Sequence, residues 1–338
     1  MSTSSRSWIV LSERERQESA NGVARRLDHL QAHLRAHNRD VTLVSLGAQS
    51  AASRIRRLSA MKSIFRTQLP ESDKIATVIV EALAAPHMVP VAWILSRRFH
   101  VVLDVCDSWK LQRRSRIRAG RRANSWISLM GALLTWLTPH RIEIAYISIR
   151  DSTSDKAVLR GRVPRIIAPV APRDLVLLDP VRARTPYRMS VAIDGNAHHT
   201  LSGLEWLRTA WPEIHRRHPD LVLDVYGRNI TENWKMRGAT IRGFNADLSD
   251  LYLGETLVFV ANDAGSGIPN KLVEAVAAQR PMLIGPHLLD WLVPHPWIFP
   301  YESGSSLIVK VDEIMTTGLP PAQGRKLSMT IPLLDEPI

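Results

Sequence analysis

Apolar and polar positions along the chain alternate between short apolar runs and stretches of helical spacing. Residues 8–11, 41–44, 75–80 and 101–106 are strand-length runs with few polar interruptions, the pattern of strands buried on both faces of a parallel sheet. Between the first two, Val23, Leu27, Leu30 and Leu34 recur at the interval of one helix face and stop near His37 and Asn38. The chain therefore opens with a βαβ unit. Residues 50–72 are basic and irregular and predict a short helix and an exposed loop. A mainly apolar helix is expected over 81–96, and further strands over 142–147 and 165–168. Beyond residue 187 a second set of runs, 189–193, 221–226, 239–242 and 257–260, predicts more strands, while Leu201, Leu204, Leu207 and Trp211 form a core-facing helix stripe.

Between the two sets, Pro169, Pro172, Pro180 and Pro186 interrupt any period, which marks a linker. A chain of 338 residues is too long for one ordinary core and suits two domains. The expected fold class is α/β, with two Rossmann-like domains facing across a cleft. The first covers residues 1–180 including the linker, the second 187–316. The Pro- and Gly-rich tail, 317–338, is expected to wrap in part onto the first domain.

Residues 264–284 carry the densest chemical signal. After the apolar run 257–260 come flexible positions at Gly265 and Gly267, a proline suited to a first helical turn at Pro269, and a helical pattern. Unpaired amides at such a helix start, with the helix dipole, make a binding place for phosphate. Lys271 and Glu274 lie three apart and are expected on an exposed face, with Leu272, Val273, Val276 and Ala277 facing the core. A cation for a diphosphate beside a carboxylate for sugar hydroxyls suits a nucleotide ligand. Taken alone, a Gly-x-Gly loop before a helix is as often structural.

The block Gly265-Ser-Gly-Ile-Pro-Asn-Lys-Leu-Val-Glu-Ala275 resembles the nucleotide-sugar motif of GT-B glycosyltransferases of the family 4 type. Gly195, Trp211-Pro212, His218-Pro219-Asp, Val225-Tyr-Gly227 and Gly243-Phe-x-x-Asp247-Leu-x-x-Leu-Tyr252 resemble that family's landmarks in the same order. The resemblance covers residues 187–284 strongly and the first half more weakly, where Ser148-Ile-Arg-Asp151 is similar to a family Ser-x-Arg-Asp. It implies transfer of a sugar from a nucleotide-sugar to an acceptor hydroxyl, with retention and without a metal, in polysaccharide, glycolipid or glycoconjugate biosynthesis. The donor residues it implies are Asn21, Gly22, Gly195, Arg228, Gly265, Ser266, Gly267, Asn270, Lys271 and Glu274. Arg228, Lys271 and the helix amides would meet the diphosphate, and Glu274 the ribose. The chain departs from the pattern at Ser266, where many members have a glutamate, and at Gln279, where glycine is usual.

In the first half, Asp104 and Asp107 stand at the carboxyl end of a buried strand, where open α/β sheets gather ligands. Members similar to this chain border their acceptor there, so the two carboxylates are candidates to orient or deprotonate the acceptor hydroxyl; capping of the next helix is the equal alternative. His198 and His199 lack a third ligand at a recognised spacing, so no metal is expected.

Composition narrows the remaining choices. A hydrophobic fraction of 45% with 22% charged residues is that of a soluble globular protein. The single Cys106 excludes an internal disulfide and suits a reducing cytoplasm. The opening residues lack the apolar core of a secretory signal, and no run reaches the ~20 apolar residues a bilayer span needs. The net charge of +12 calls for an anionic partner. Its densest cluster is Lys110, Arg113, Arg114, Arg116, Arg118, Arg121 and Arg122, followed by a Trp- and Leu-rich stretch at 126–137. Residues 110–137 therefore read either as a solvated face leading into a core helix or as a peripheral contact with an anionic membrane. Nucleic acid is disfavoured by the absence of any helix-turn-helix, zinc-finger or RNA-binding signature. A GT-B-like binding protein without turnover, or a basic nucleic-acid-binding protein, is the alternative function. A dinucleotide oxidoreductase lacks its Gly-x-Gly-x-x-Gly after the first strand.

Overall fold

The computed structural model describes residues 7–12, 27, 30, 31, 34, 41–45, 75–82, 85–118, 125–167, 169, 173–176, 178, 179, 181, 185–194, 200–228, 230–244, 249–262, 267–321 and 324–330. Contacts divide the chain into two compact units, one of residues 1–170 with 333–338 and one of residues 171–332.

The first unit is built on a six-stranded sheet of order β2-β1-β3-β4-β5-β6, formed by Ser7–Ser12 (β1), Val41–Ser45 (β2), Ile75–Glu81 (β3), His100–Cys106 (β4), Glu143–Tyr146 (β5) and Arg165–Ile166 (β6). Every pairing is parallel. The strand centres are mainly apolar because helices cover both faces: Val78, Val80, Val101 and Leu103 join one core with the helix Met88–Leu95, and Val10, Ile79 and Val102 join another with Leu27, Leu30 and Leu34. The helix expected over 81–96 is shorter than its apolar pattern. Glu81 still belongs to β3, and the turn at Pro86 and His87 delays the first helical residue to Met88.

The second unit carries Arg188–Asp194 (β7), Val222–Arg228 (β8), Ala239–Gly243 (β9), Thr256–Val260 (β10), Met282–Ile284 (β11) and Ile298–Pro300 (β12) in the order β12-β11-β10-β7-β8-β9, again all parallel. Counted within the unit, this is the doubly wound order in which the first and fourth strands are neighbours and the chain direction of winding reverses between them. The helix Leu201–Arg217 buries Leu204, Leu207 and Trp211 of the predicted stripe and adds Ala210 and Ile214, but Leu201, at its first position, is exposed.

Two connecting segments pack on the second unit. Within the proline-rich linker, Arg173–Val176 forms a helical turn that buries Leu175 and touches Ser249–Tyr252 and Asn270–Ala277. Of the tail, residues 324–330 run against the second unit, where Leu292 and Met329 form an antiparallel bridge and Val293 N–H donates to the Ser328 carbonyl at 3.0 Å. This part of the tail therefore belongs to the second unit, and the tail beyond residue 330 lies outside the described residues. The apolar side chains of the described part, Leu327 and Met329, are buried where they lie.

Candidate functional site

The switch point of the second sheet gathers the sequence motifs. Strands β7 and β10 pair through Val191 and Phe259, so the segments following Asp194 and Val260 leave the sheet side by side at its carboxyl edge. Gly195, Gly265 and Ser266 lie outside the described residues. The chain is described again at Gly267, whose φ of +74° is a left-handed conformation that glycine adopts without strain. Pro269 is the extended residue before the helix Asn270–Ala277. The amino end of that helix stands at the carboxyl edge of the sheet, by the switch point where doubly wound sheets bind ligands, with its Leu272 and Val273 amides donating to the Pro269 carbonyl at 3.0 and 3.3 Å.

A second helix start stands beside it. In Leu201–Arg217, Gly203 approaches the loop after β10 so closely that a Cβ would lie 2.2 Å from the Ala261 carbonyl oxygen. Arg228 ends β8 in register with Asp194. It follows Gly227, where a Cβ would stand 2.0 Å from the Ile193 carbonyl oxygen and φ is +141°. Glycine is thus required at the turn that delivers the Arg228 backbone to this edge. The side chain of Arg228 lies outside the description.

Lys271 is half-buried in the first turn. Glu274 corrects the sequence reading. It is 1% exposed rather than on an open face, and its Oε2 accepts from the Tyr252 hydroxyl at 2.7 Å. Leu272, Val273, Ala275 and Val276 are buried with it, so this short helix is enclosed nearly all round. Ala277, expected in the core, is half-buried. Tyr252 belonged to a landmark of the resemblance, but spacing did not connect it with Glu274.

Gln279, at the glycine-like position, has φ of +52°. Its side chain compensates for the left-handed backbone with two hydrogen bonds to Leu327: the amide donates to the Leu327 carbonyl at 3.0 Å, and Oε1 accepts from Leu327 N–H at 2.8 Å.

In the first unit, Asp104 is fully buried in β4, level with Glu81 on β3. Ser12 at the end of β1 donates to Glu81 Oε2 at 3.1 Å. Three neighbouring strands thus bring buried polar groups to one level of the sheet, of which the sequence had indicated only Asp104. Asp107 is half-buried beyond the strand, after a left-handed turn at Cys106 with φ of +63°. The helix that follows, Trp109–Arg118, is capped by Ser108, whose Oγ accepts from Leu111 N–H at 3.2 Å, and by two carboxylates from later in the chain. Asp155 accepts from Ser108 Oγ at 2.7 Å, Trp109 N–H at 2.9 Å and Lys110 N–H at 3.2 Å, while Asp151 accepts from Ser108 N–H at 2.9 Å. Ser148 caps its own helix through Asp151 N–H. The Ser148-to-Asp151 motif is therefore a clamp between the carboxyl ends of β4 and β5. Burial pushes the Asp155 carboxyl above its usual range, and its hydrogen-bond donors pull it part of the way back. Burial first, then Asp155, drives the Tyr146 phenol well upward. Asn21 and Gly22 lie outside the described residues. Among the described residues no group of three or more His, Cys, Asp or Glu side chains forms a metal-binding set.

These features define a class of fold before any chemistry. Residues 189–294 match the family described as Glycosyl transferases group 1. Over 112 residues the chain is 30% identical to the UDP-N-acetylglucosamine–peptide N-acetylglucosaminyltransferase GtfA subunit of Streptococcus gordonii, a match that covers 31% of this chain and 21% of that protein. The structure is similar to Anabaena HepE in complex with UDP, with a TM-score of 0.59 and 12% identity, covering 92% of this chain and 90% of that one. It is also similar to a UDP-forming trehalose-phosphate synthase from Burkholderia xenovorans, with a TM-score of 0.56 and 11% identity over 93% and 92% of the two chains. The fold is that of the GT-B glycosyltransferases, two units each built on a six-stranded parallel sheet.

Proposed function

We propose that the chain is a glycosyltransferase that takes its sugar from a UDP-sugar and passes it to an acceptor hydroxyl with retention. The observation that carries this reading is the junction of the Gly267–Lys271 turn and its helix start with the β7/β10 switch point. There the helix amides and Lys271 offset the charge growing on the leaving diphosphate, in place of a metal. Glu274, held by Tyr252, receives the ribose hydroxyls. The UDP-bound and UDP-forming neighbours support uridine as the base. Asp107, half-buried beyond β4, handles the acceptor, whose class is a glycan, glycolipid or glycoconjugate met at an anionic membrane surface, while Asp104, fully buried within the strand, does not reach it.

Calorimetric titration with UDP tests the donor half. A charge-assisted contact is worth roughly 1.5–3 kcal/mol, so Lys271→Ala should weaken UDP about 10- to 150-fold. Glu274→Gln should weaken UDP while leaving free pyrophosphate nearly unchanged. Unaltered affinity in both variants would reduce the motif to a packing loop. Binding without turnover is the second reading, favoured by Ser266 at the place of a family glutamate. UDP binding with no UDP released from any UDP-sugar in the presence of acceptors would select it.

A further inference from the structure

The helix Ser125–Leu137 is inside out. Its buried residues are Ser128, Gly131 and Thr135, whereas Trp126, Leu129, Met130, Leu133, Trp136 and Leu137 are exposed, with Trp126 at 60% and Leu129 at 56%. At 100° per residue the exposed side chains fill an arc of about 120°, and the small and polar ones sit opposite. The buried face fits a specific neighbour. Trp109 donates its indole N–H to Thr135 Oγ1 at 3.0 Å, its ring lies where a Cβ on Gly131 would come within 2.6 Å, and Arg116 donates to Ser128 Oγ at 3.0 Å. The outward face is thus fixed by packing, not by a loose helix free to roll over.

Charge identifies what that face meets. No acidic residue stands between Asp107 and Glu143. Lys110, Arg113 and Arg114 are exposed on the helix Trp109–Arg118, which packs directly against the inside-out helix. At the far end, the Arg160 guanidinium lies 5.0 Å from the Trp136 ring centroid. Two exposed tryptophans on one face, ten positions and about 15 Å apart along the axis, one of them with a guanidinium beside it, are side chains that favour a headgroup layer. The helix has 13 residues, about 20 Å, against the ~20 residues needed to cross a bilayer. No described helix is long and apolar enough to cross a membrane.

We infer that Ser125–Leu137 is an interfacial anchor. It lies in the plane of an anionic bilayer surface with Trp126, Leu129, Leu133 and Trp136 sunk below the headgroups and the Trp109–Arg118 helix held against the lipid phosphates. This rests on the membrane-contact part of the proposed function and is independent of the donor assignment.

The test is flotation of the full chain with vesicles of phosphatidylcholine alone and of phosphatidylcholine mixed with phosphatidylglycerol. The chain should float with the anionic vesicles and much less with the neutral ones, and release as salt rises. Replacing Leu129 and Leu133 together by glutamine should cut partitioning about tenfold or more, because each surrenders apolar area. Arg113→Gln and Arg114→Gln should each cut it about fivefold at low salt. Both sets change exposed side chains, so thermal unfolding should stay at the wild-type temperature and UDP titration at the wild-type affinity. A loss of UDP binding in wild type would refute the donor reading and leave the anchor standing. Equal flotation of wild type and the double glutamine variant would overturn the anchor. So would a solution dimer that the same double variant dissociates, or duplex DNA competing the protein off the vesicles with the leucines irrelevant to either contact.

Discussion

The hydroxyl of Tyr252 donates to Glu274 at 2.7 Å, and both residues are closed off from solvent. A tyrosine from the turn before β10 thereby sets the direction of a carboxyl on the helix after it. Tyr252→Phe removes that donor and leaves the carboxyl buried. A hydrogen bond of this kind is worth about 1.5–3 kcal/mol, so the melting temperature should fall by about 3 to 10 °C. Because Glu274 is then less firmly aimed, UDP affinity should fall severalfold while pyrophosphate affinity holds. Parallel losses for both ligands would show that Tyr252 supports the helix as a whole.

Asp155 holds the amino end of Trp109–Arg118 by accepting from Ser108 Oγ and two backbone amides, with Tyr146 Oη a further donor at 3.3 Å. Asp155→Asn loses one acceptor oxygen and leaves a buried donor unpaired, a cost of about 1–3 kcal/mol at neutral pH. Burial raises the folded-state carboxyl above its unfolded value. Between the two values the folded state binds the extra proton, so this group's contribution is fully present below the unfolded value and is lost as pH rises through the folded one. Denaturation of wild type and variant across the acid range should show the gap widest at the acid end and narrowing as pH rises. A gap that widens with pH would mean that the ionised form is the one the fold favours.

The two sheets were largely legible in the sequence because strands buried on both faces leave continuous apolar runs, as at 101–106 and 257–260, which need no partner to be recognised. The helix start at Asn270 was legible for the same local reason: Gly267, Pro269 and the helical spacing are adjacent in sequence. Glu274 was misread because its neighbour across the helix face, Tyr252, is separated from it by a whole strand and loop. Asp155 carried no signal, since the amides it serves lie more than 40 residues away. The inverted helix was visible only as a Trp- and Leu-rich stretch. Which of its faces is covered depends on the Trp109 ring, and periodicity does not contain that information.

Gly131 sits where that ring passes, and helix propensity alone favours alanine over glycine by about 1 kcal/mol. The structure predicts the opposite sign. A Cβ at 2.6 Å from the indole has to displace a fully buried tryptophan, and overpacking of this kind costs about 1–3 kcal/mol. Gly131→Ala should therefore lower the urea midpoint with little change in slope. A rise in the midpoint would show that the Trp109 ring yields without strain.

Gln279 stands in a left-handed backbone that a glycine would occupy at no cost, yet its amide is what ties Leu327 to the second unit. The strain of a non-glycine residue there is roughly 1–2 kcal/mol, and two neutral hydrogen bonds return about 1–3 kcal/mol. Gln279→Ala keeps the strain and loses the bonds, whereas Gln279→Gly loses the bonds and sheds the strain. Alanine should be the less stable variant by about 1 kcal/mol or more, and glycine should fall near wild type. Both should loosen residues 324–330, so trypsin should cut at the exposed Arg325 and Lys326 faster in each than in wild type. The two measurements separate the roles: stability reports the backbone at Gln279, and proteolysis reports the latch. If trypsin cuts all three proteins alike, the segment is held by Leu327 and Met329 packing, and the hydrogen bonds from Gln279 only decorate it.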